Sequence, residues 1–458
     1  MSVAVDHQRA RSVRRPQPPA LRQARPAPVL ALIAVGAALV LGLWWHDTPA
    51  VSGFGGWLTN AGRITGLLAG YAVVVLVALM ARIPALERGI GSDRLARWHA
   101  MGGRYTVSLV AAHGVLITWG YAVTAHTGVA RQAKTLLLSY PDVLMATVAG
   151  LLLIGIGVIS ARAARARMRY ETWYYLHLYT YLAVALAFAH QFATGADFRG
   201  NLLARVVWSA MYVTVGVLLV WFRLLTPVRQ ALRHGLRVAA VDSEGPGTVS
   251  IYITGRHLHE LAAAPGQFFR WRFLTRHGWW SANPYSLSAP TDPRVLRITA
   301  KDVGDHSGSL AALRPGTRVL AEGPYGAFTA ERRTRRKVLL LAGGVGITPL
   351  RALFETLPAA PNDLTLIYRA SSARDLIFRA ELEQIAATRG ARLHYLLGSR
   401  SRLRHDPLSP AVLTSLVPDL RWYDVYVCGP TGMTAAAIRA LRAAGVRRRH
   451  IHHESFEF

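Results

Sequence analysis

Four histidines carry the first chemical signal in this sequence. His99 and His113 stand 14 residues apart in one apolar run, and His177 and His190 stand 13 apart in another. At about 1.5 Å per residue, each separation is roughly 20 Å along a helix. If the two helices pack side by side, His99 faces His177 near one membrane surface and His113 faces His190 near the other. Two imidazoles on opposite sides of one site are the axial set of a six-coordinate haem iron, the porphyrin supplying the other four nitrogens. Fourteen residues at about 100° each keep His113 within roughly 40° of His99, whereas thirteen turn His190 about 140° away from His177. The second helix is therefore expected to carry a kink or π-bulge. Taken singly, each histidine also reads as a hydrogen-bonded polar residue gluing helices together. Arg104, above His99, is a candidate for haem propionates or a snorkelling side chain.

A second set of signals lies in the C-terminal half. NPYSLSAP, from Asn283 to Pro290, follows the strand-like QFFRWRF. An aromatic followed by a hydroxyl at a barrel rim suits a flavin: Tyr285 to lie against the ring and Ser286 to hydrogen-bond its reactive N5 edge, with Ser288 in the same group. KDVGDHSGSL offers Lys301, Gly304 and Ser307 in a turn leading into a helix, whose first amides can hold a pyrophosphate. LLLAGGVGITPLRAL reads as strand, glycine turn and helix: Gly343, Gly344 and Gly346 permit close backbone approach, with Thr348 and Pro349 at the helix start. About 80 residues later VYVCGPTGM brings Cys428, Gly429 and Pro430 to another strand end, and IHHESFEF closes on the aromatic Phe458.

The elements that must position these residues divide the chain. It has 458 residues, a formal net charge of +28, 52% apolar and only 17% charged residues, and one cysteine. An apolar fraction this high excludes disorder for most of the length. A lone cysteine excludes both an intramolecular disulfide and a cysteine-ligated iron–sulfur cluster. Six stretches of the first half are long enough to cross a bilayer: 28–45, 61–81, 101–124, 142–161, 174–194 and 202–222. The basic excess thus belongs to the loops of a membrane protein, not to a nucleic-acid surface. Arginines crowd the N-terminal segment, the second connection and the fourth, so both termini and everything after the last span face the cytoplasm. The Arg-rich start and first apolar run also fit a signal peptide, although Trp44-Trp45 ends the run without a cleavage site.

The expected fold class is a multidomain membrane protein. Residues 1–27 form a disordered basic cytoplasmic tail and 28–230 an all-α six-helix transmembrane bundle. Residues 231–335 form an antiparallel β-barrel, read from short alternating segments, and 336–458 an α/β domain with a parallel sheet.

The histidine pairs together with PYS, GGVGITP and CGP make the chain resemble the ferric reductase and NADPH oxidase superfamily, from about residue 28 to the end. The resemblance implies a six-span bis-haem domain fused to a ferredoxin–NADP reductase-like module. It implies FAD on the barrel, NADPH on the sheet, an inner haem b on His99 and His177, and an outer haem b on His113 and His190. Phe458 would shield the flavin until nicotinamide displaces it, and Cys428 would line the hydride-transfer site beside Ser286. Ser399 and Arg400, with Arg369, stand where similar reductases hold the 2′-phosphate of NADPH. The sequence departs at Asn283, where the reductases have Arg and the oxidases usually His.

The implied activity is transfer from cytosolic NADPH to an acceptor on the outer face of the plasma membrane. Arg63 could take part in an oxygen pocket, as an arginine does in the oxidases. Their second pocket residue corresponds to Ile117, which cannot donate a hydrogen bond. A ferric chelate is therefore favoured slightly over oxygen. Two other readings stand: a haem-free, membrane-tethered flavin reductase, and a non-enzymatic haem and nucleotide sensor.

Overall fold

The computed structural model describes residues 26–48, 50–165, 167–168, 170–276, 278–398 and 406–454. The sequence-predicted basic tail falls almost wholly outside them, as do Ser399, Arg400 and Phe458. In lipid every backbone polar group must be satisfied within its own segment, so the apolar runs of the first half become helices. They are α1 (Pro26–His46), α2 (Gly53–Met80), the short α3 (Pro84–Ile90), α4 (Ser92–Thr124), α5 (Val129–Ser139) and α6 (Val143–Ser160). A single turn, α7 (Arg162–Arg165), leads to α8 (Tyr170–Thr194) and α9 (Leu202–Val220). A π-helical turn at Trp221–Leu225 joins α9 to α10 (Thr226–His234).

Among the described residues, five helical segments have both the length and the apolarity to cross a membrane: Pro26–His46, Gly53–Met80, Arg94–Thr124, Val143–Ser160 and Leu202–His234. They coincide with five of the six stretches expected from the sequence. The stretch at 174–194 lies in α8, which at 25 residues is long enough, but its tyrosines, histidines and Gln191 lower its hydropathy. α8 is α-helical throughout, so the π-bulge that the spacing allowed there is absent. The reason is visible in the packing. α4 packs closely along α2 and α8 along α6, while α4 and α8 make no comparably close backbone contact. Across such a gap two rings can approach from either flank of a straight helix, and 140° between them is tolerated.

After α10 the pattern changes to alternating strands. These are β1 (Arg237–Gly245), β2 (Thr248–Thr254), β3 (Phe268–Phe273), β4 (Asn283–Ser286), β5 (Val295–Lys301) and β6 (Val319–Tyr325). They form two three-stranded antiparallel sheets, ordered β1-β2-β5 and β4-β3-β6. No continuous ladder closes them into the barrel expected from the sequence, but both edges are joined, by bridges from Arg237 to Arg318 and Leu287 to Ile298 and by backbone hydrogen bonds such as Val238 to Thr317 and Ser288 to Arg297. Both inner faces still share one core of Ile251, Ile253, Phe269, Trp271, Leu296 and Ile298. One helical turn, α11 (Asp305–Gly308), follows β5.

The remainder is an α/β unit. Strands β7 (Lys337–Gly343), β8 (Leu364–Ala370), β9 (Arg392–Leu397), β10 (Tyr423–Cys428) and β11 (Ile451–Glu454) are all parallel, in the order β11-β10-β7-β8-β9. Helices α12 (Ile347–Thr356), α13 (Arg379–Arg389), α14 (Pro410–Leu416) and α15 (Thr431–Ala443) complete it. Strands buried on both faces read as continuous apolar runs, as KVLLLAG and YDVYVC do. The chain runs outward from β7 to β9 and then returns to β10, so the strand order reverses between β7 and β10. In open α/β sheets ligands bind at the carboxyl ends beside such a switch point.

Candidate functional site

Within the membrane half, the sequence-predicted histidines meet in two pairs. The ring centres of His99 and His177 lie 5.9 Å apart, and those of His113 and His190 lie 6.4 Å apart. Nδ1 of His99 donates to the Leu76 carbonyl at 3.2 Å, and Nδ1 of His113 to the Gly62 carbonyl at 2.8 Å. A carbonyl only accepts, so both rings carry their proton on Nδ1 and leave the Nε2 lone pair open. On the facing helix, Nδ1 of His177 lies 3.3 Å from Ser160 Oγ, and Nδ1 of His190 lies 3.0 Å from Thr194 Oγ1. The Thr194 hydroxyl donates to the His190 carbonyl at 3.1 Å, so its oxygen is placed to accept from the ring. Every Nδ1 is therefore engaged.

These residues fit a haem. A metal–imidazole bond of about 2 Å on each side, plus roughly 1 Å from each nitrogen to its ring centre, requires about 6 Å. No cluster of three His, Cys, Asp or Glu side chains placed to hold a metal ion occurs among the described residues. Two donors alone do not complete a coordination shell, so the remaining ligands must come with the group.

Glycines let α2 come close enough to align the outer pair. A Cβ at Gly66 would lie 2.6 Å from His113 Nδ1, and one at Gly62 would lie 2.8 Å from Ile117. Arg63 is not open toward an acceptor: it ion-pairs at 2.5 Å with Asp197, which is 3% exposed, and also donates to Asn60. Asp197 escaped the sequence reading because its partner lies 134 positions away. Arg104 is exposed on α4.

In the soluble half, β4 pairs with β3 so that Ser286 stands opposite Phe268, and Tyr285 opposite the fully buried Phe269. Ser286 Oγ is buried without a hydrogen-bond partner, which is the state of a hydroxyl whose partner is a ligand. Tyr285 is half-buried against the core, and burial pushes its phenol up to about 12. Ser288 has internal partners. It is fully buried in an internal chain of hydroxyls in which Ser250 Oγ meets Thr299 Oγ1 at 2.7 Å and Thr299 donates to Ser288 at 2.8 Å. Lys301 and Gly304 are exposed, and Ser307 Oγ accepts from the Val303 amide while donating to the Gly304 carbonyl.

At the sheet's switch point, a Cβ at Gly346 would overlap the Cys428 carbonyl and lie 2.6 Å from the Gly429 nitrogen. The two glycine turns thus touch, and Gly344 takes φ +52°, open to a glycine without strain. Thr348 and Pro349 are buried, the Thr348 hydroxyl donating to the Val345 carbonyl at 3.0 Å. Pro430 precedes the first turn of α15. Two of the expected site residues have internal partners. The Cys428 thiol is fully buried, 3.9 Å from the Glu454 carbonyl, and presents no surface to a substrate in this arrangement. Arg369 donates to the carbonyls of Ala370, Leu396 and Gly398, so it braces the end of β9.

Two charged networks had no sequence signal beyond their residue types. Arg297 on β5 forms paired hydrogen bonds of 2.8 and 3.0 Å to Glu381 on α13, which also receives Arg351 at 2.7 Å. Burial would raise the Glu381 pKa, but the hydrogen bonds and charges of the two arginines outweigh it and hold the carboxyl below its usual value. Asp424, wholly buried on β10, accepts from the amides of Thr334 and Arg335 and lies 3.1 Å from Nδ1 of His450 and 3.4 Å from Nε2 of His452. Burial is again overcome, by these bonds, and its pKa falls to about 2.

Comparison with known proteins places these two halves. Residues 65–188 match the model of the ferric reductase-like transmembrane component, and residues 340–439 that of the oxidoreductase NAD-binding domain. The chain is 33% identical over 208 residues to a glycine betaine monooxygenase reductase subunit of Chromohalobacter salexigens, covering 42% of this chain and 55% of that one. It is 32% identical over 235 residues to the ferredoxin reductase component of 3-ketosteroid-9-alpha-monooxygenase from Mycolicibacterium smegmatis, covering 48% and 65%. It is 27% identical over 245 residues to an NADPH oxidoreductase of Mycobacterium tuberculosis, covering 52% and 63%. The chain thus spans 55% to 65% of the length of these relatives. Among solved structures, the FAD/NAD-binding domain of a Vibrio cholerae nitric oxide dioxygenase is similar at 22% identity and TM-score 0.40, over 48% of this chain and 98% of that one. A match to a ferric reductase-like transmembrane component, followed by one to an oxidoreductase NAD-binding domain, is the combination seen in the fusion proteins of the ferric reductase and NADPH oxidase superfamily.

Proposed function

We propose that this chain is a transmembrane flavocytochrome b oxidoreductase. It draws reducing equivalents from cytosolic NADPH and delivers them to an acceptor on the far side of the plasma membrane, with both termini and the soluble domains in the cytoplasm. The observation that carries this reading is the pair of histidine couples, each about 6 Å across, with all four Nδ1 atoms engaged and the Nε2 side of each ring left for a metal. Under this reading α8 is the sixth span, with His177 and His190 facing the cofactors. When bound, FAD supplies the conversion of a two-electron hydride into single electrons, and the two haem b irons supply one-electron sites across the bilayer.

The chain's own residues bind and orient. His99 and His177 would hold the inner haem, and His113 and His190 the outer. Backbone carbonyls at Leu76 and Gly62 keep two of these rings in the ligating tautomer. Ser286 would offer its hydroxyl to the flavin N5 edge and Tyr285 the edge of its phenol ring. The glycine turns at Gly343–Gly346 and Gly429 would bring backbone close to the nicotinamide nucleotide, with Arg400 selecting the 2′-phosphate.

The outer face favours a ferric chelate over oxygen. Ile117 packs against Gly62, and Arg63 is neutralised by Asp197, so neither offers charge to developing superoxide. Proteoliposomes with NADPH outside and ferric chelate trapped inside test this reading. Inverted molecules should reduce the trapped iron, and oxygen should take a minor share of the electrons. Consumption of NADPH matched by superoxide or peroxide, undiminished by ferric chelate, would move the assignment to the oxidases.

A further inference from the structure

A cavity lies at the junction of the two halves, beside the start of the NPYS segment. It has a volume of about 500 Å³ and runs between the outer face of the β4-β3-β6 sheet and the segment that leaves the membrane after α9. Arg270 and Arg272 line it from β3, Arg223 from the π-helical turn, Trp280 from the approach to β4 and Asn283 from the start of β4. β3 alternates: Phe269, Trp271 and Phe273 are buried in the core, and Arg270 and Arg272 stand on the opposite, half-buried face. Residues directly opposite in an antiparallel pair share a face. Ser286 is opposite Phe268, and Pro284 is opposite Arg270, so Ser286, Arg270 and Arg272 lie along one face of the sheet.

The spacing has chemical meaning. Arg270 and Arg272 are two and four residues from the Phe268–Ser286 position, roughly 7 and 13 Å at about 3.3 Å per residue. A five-carbon ribityl chain separates a flavin's reactive ring from its phosphates over such a span. The strand position from which an arginine would ordinarily meet those phosphates holds the neutral Asn283. Arg270 also donates to the Ala282 carbonyl at 3.2 Å, which anchors its guanidinium beside β4.

We infer that Arg270 and Arg272, on the strand beside β4, hold the pyrophosphate of the flavin dinucleotide. This rests on the flavin reading above. Two guanidiniums match the two negative charges, and their forked donors suit phosphate oxygens better than lysine would.

Fluorescence titration of the purified, flavin-depleted full chain with FAD and with riboflavin, which lacks phosphate, tests the inference. In Arg270→Gln/Arg272→Gln, FAD should bind about tenfold or more weakly while riboflavin affinity stays within about twofold, because only charge-assisted phosphate bonds are lost. Adding Asn283→Arg to that variant should restore part of the FAD affinity. Equal weakening toward both flavins, or no change toward either, would overturn the inference. So would unchanged FAD affinity accompanied by loss of a dependence on phosphatidylglycerol over phosphatidylcholine in the nanodisc, which would assign the cavity to a lipid headgroup. Failure of the unsubstituted chain to bind FAD at all would instead strike the flavin reading itself.

Discussion

At the residue scale the account depends on imidazoles held in one tautomer by named partners. Replacing either member of a pair removes an axial ligand with no third donor available among the described residues. His99→Leu or His177→Leu should therefore cost about one of two haems per chain, and His113→Leu or His190→Leu the other. Pyridine haemochrome assay against protein concentration reads this directly, and two haems retained in any of the four would break the pairing. Asp424 makes a second prediction. Its carboxyl pKa is depressed from 3.8 to about 2 in the folded chain, so the stability it contributes is present above pH 3.8 and is lost as the pH falls toward 2. Hydrogen exchange in β11 should lose protection between pH 5 and pH 3, and in Asp424→Asn protection should already be low at pH 5. A variant with wild-type protection at both pH values would show that the buried carboxylate does not tie β11 to residues 334–335.

At the element scale the close approach of α2 to α4 is what seats the outer pair. Gly66→Ala would drive a methyl group against the His113 ring. Overpacking of this kind costs about 1–3 kcal/mol, and the outer haem should be lost or its spectrum altered while the inner haem remains. An unaltered two-haem spectrum would mean that α2 does not set the ring's position. The elements themselves were only partly legible in the sequence. Periodicity and histidine spacing located the two pairs, because helix rise is nearly constant. The π-bulge allowed for α8 is not needed, because a gap between α4 and α8 lets each ring reach in from a flank. The barrel resolved into two bridged sheets, since alternation identifies strands but not which edges close. Partners distant in sequence were invisible: nothing near Arg63 announced Asp197, and nothing near Arg297 announced Glu381.

At the scale of the whole molecule, the junction between membrane helices and soluble sheets decides whether the halves work as one device. Arg82 ion-pairs with Glu322 and donates to Tyr325 at 3.0 Å, Gln230 donates to the Gly323 carbonyl at 2.7 Å, and Arg332 to the Gly89 carbonyl at 2.6 Å. These bonds hold the β4-β3-β6 sheet against the end of the bundle that carries the His99–His177 pair. The direct test of the central claim is an anaerobic absorbance spectrum of the purified full chain before and after addition of NADPH. The account predicts a haem Soret band that shifts on addition of NADPH, together with bleaching of the flavin. In His99→Leu the flavin should still bleach while the outer haem stays oxidised. A purified chain with no Soret band, or one whose flavin is reduced by NADPH while both haems remain oxidised, would contradict it.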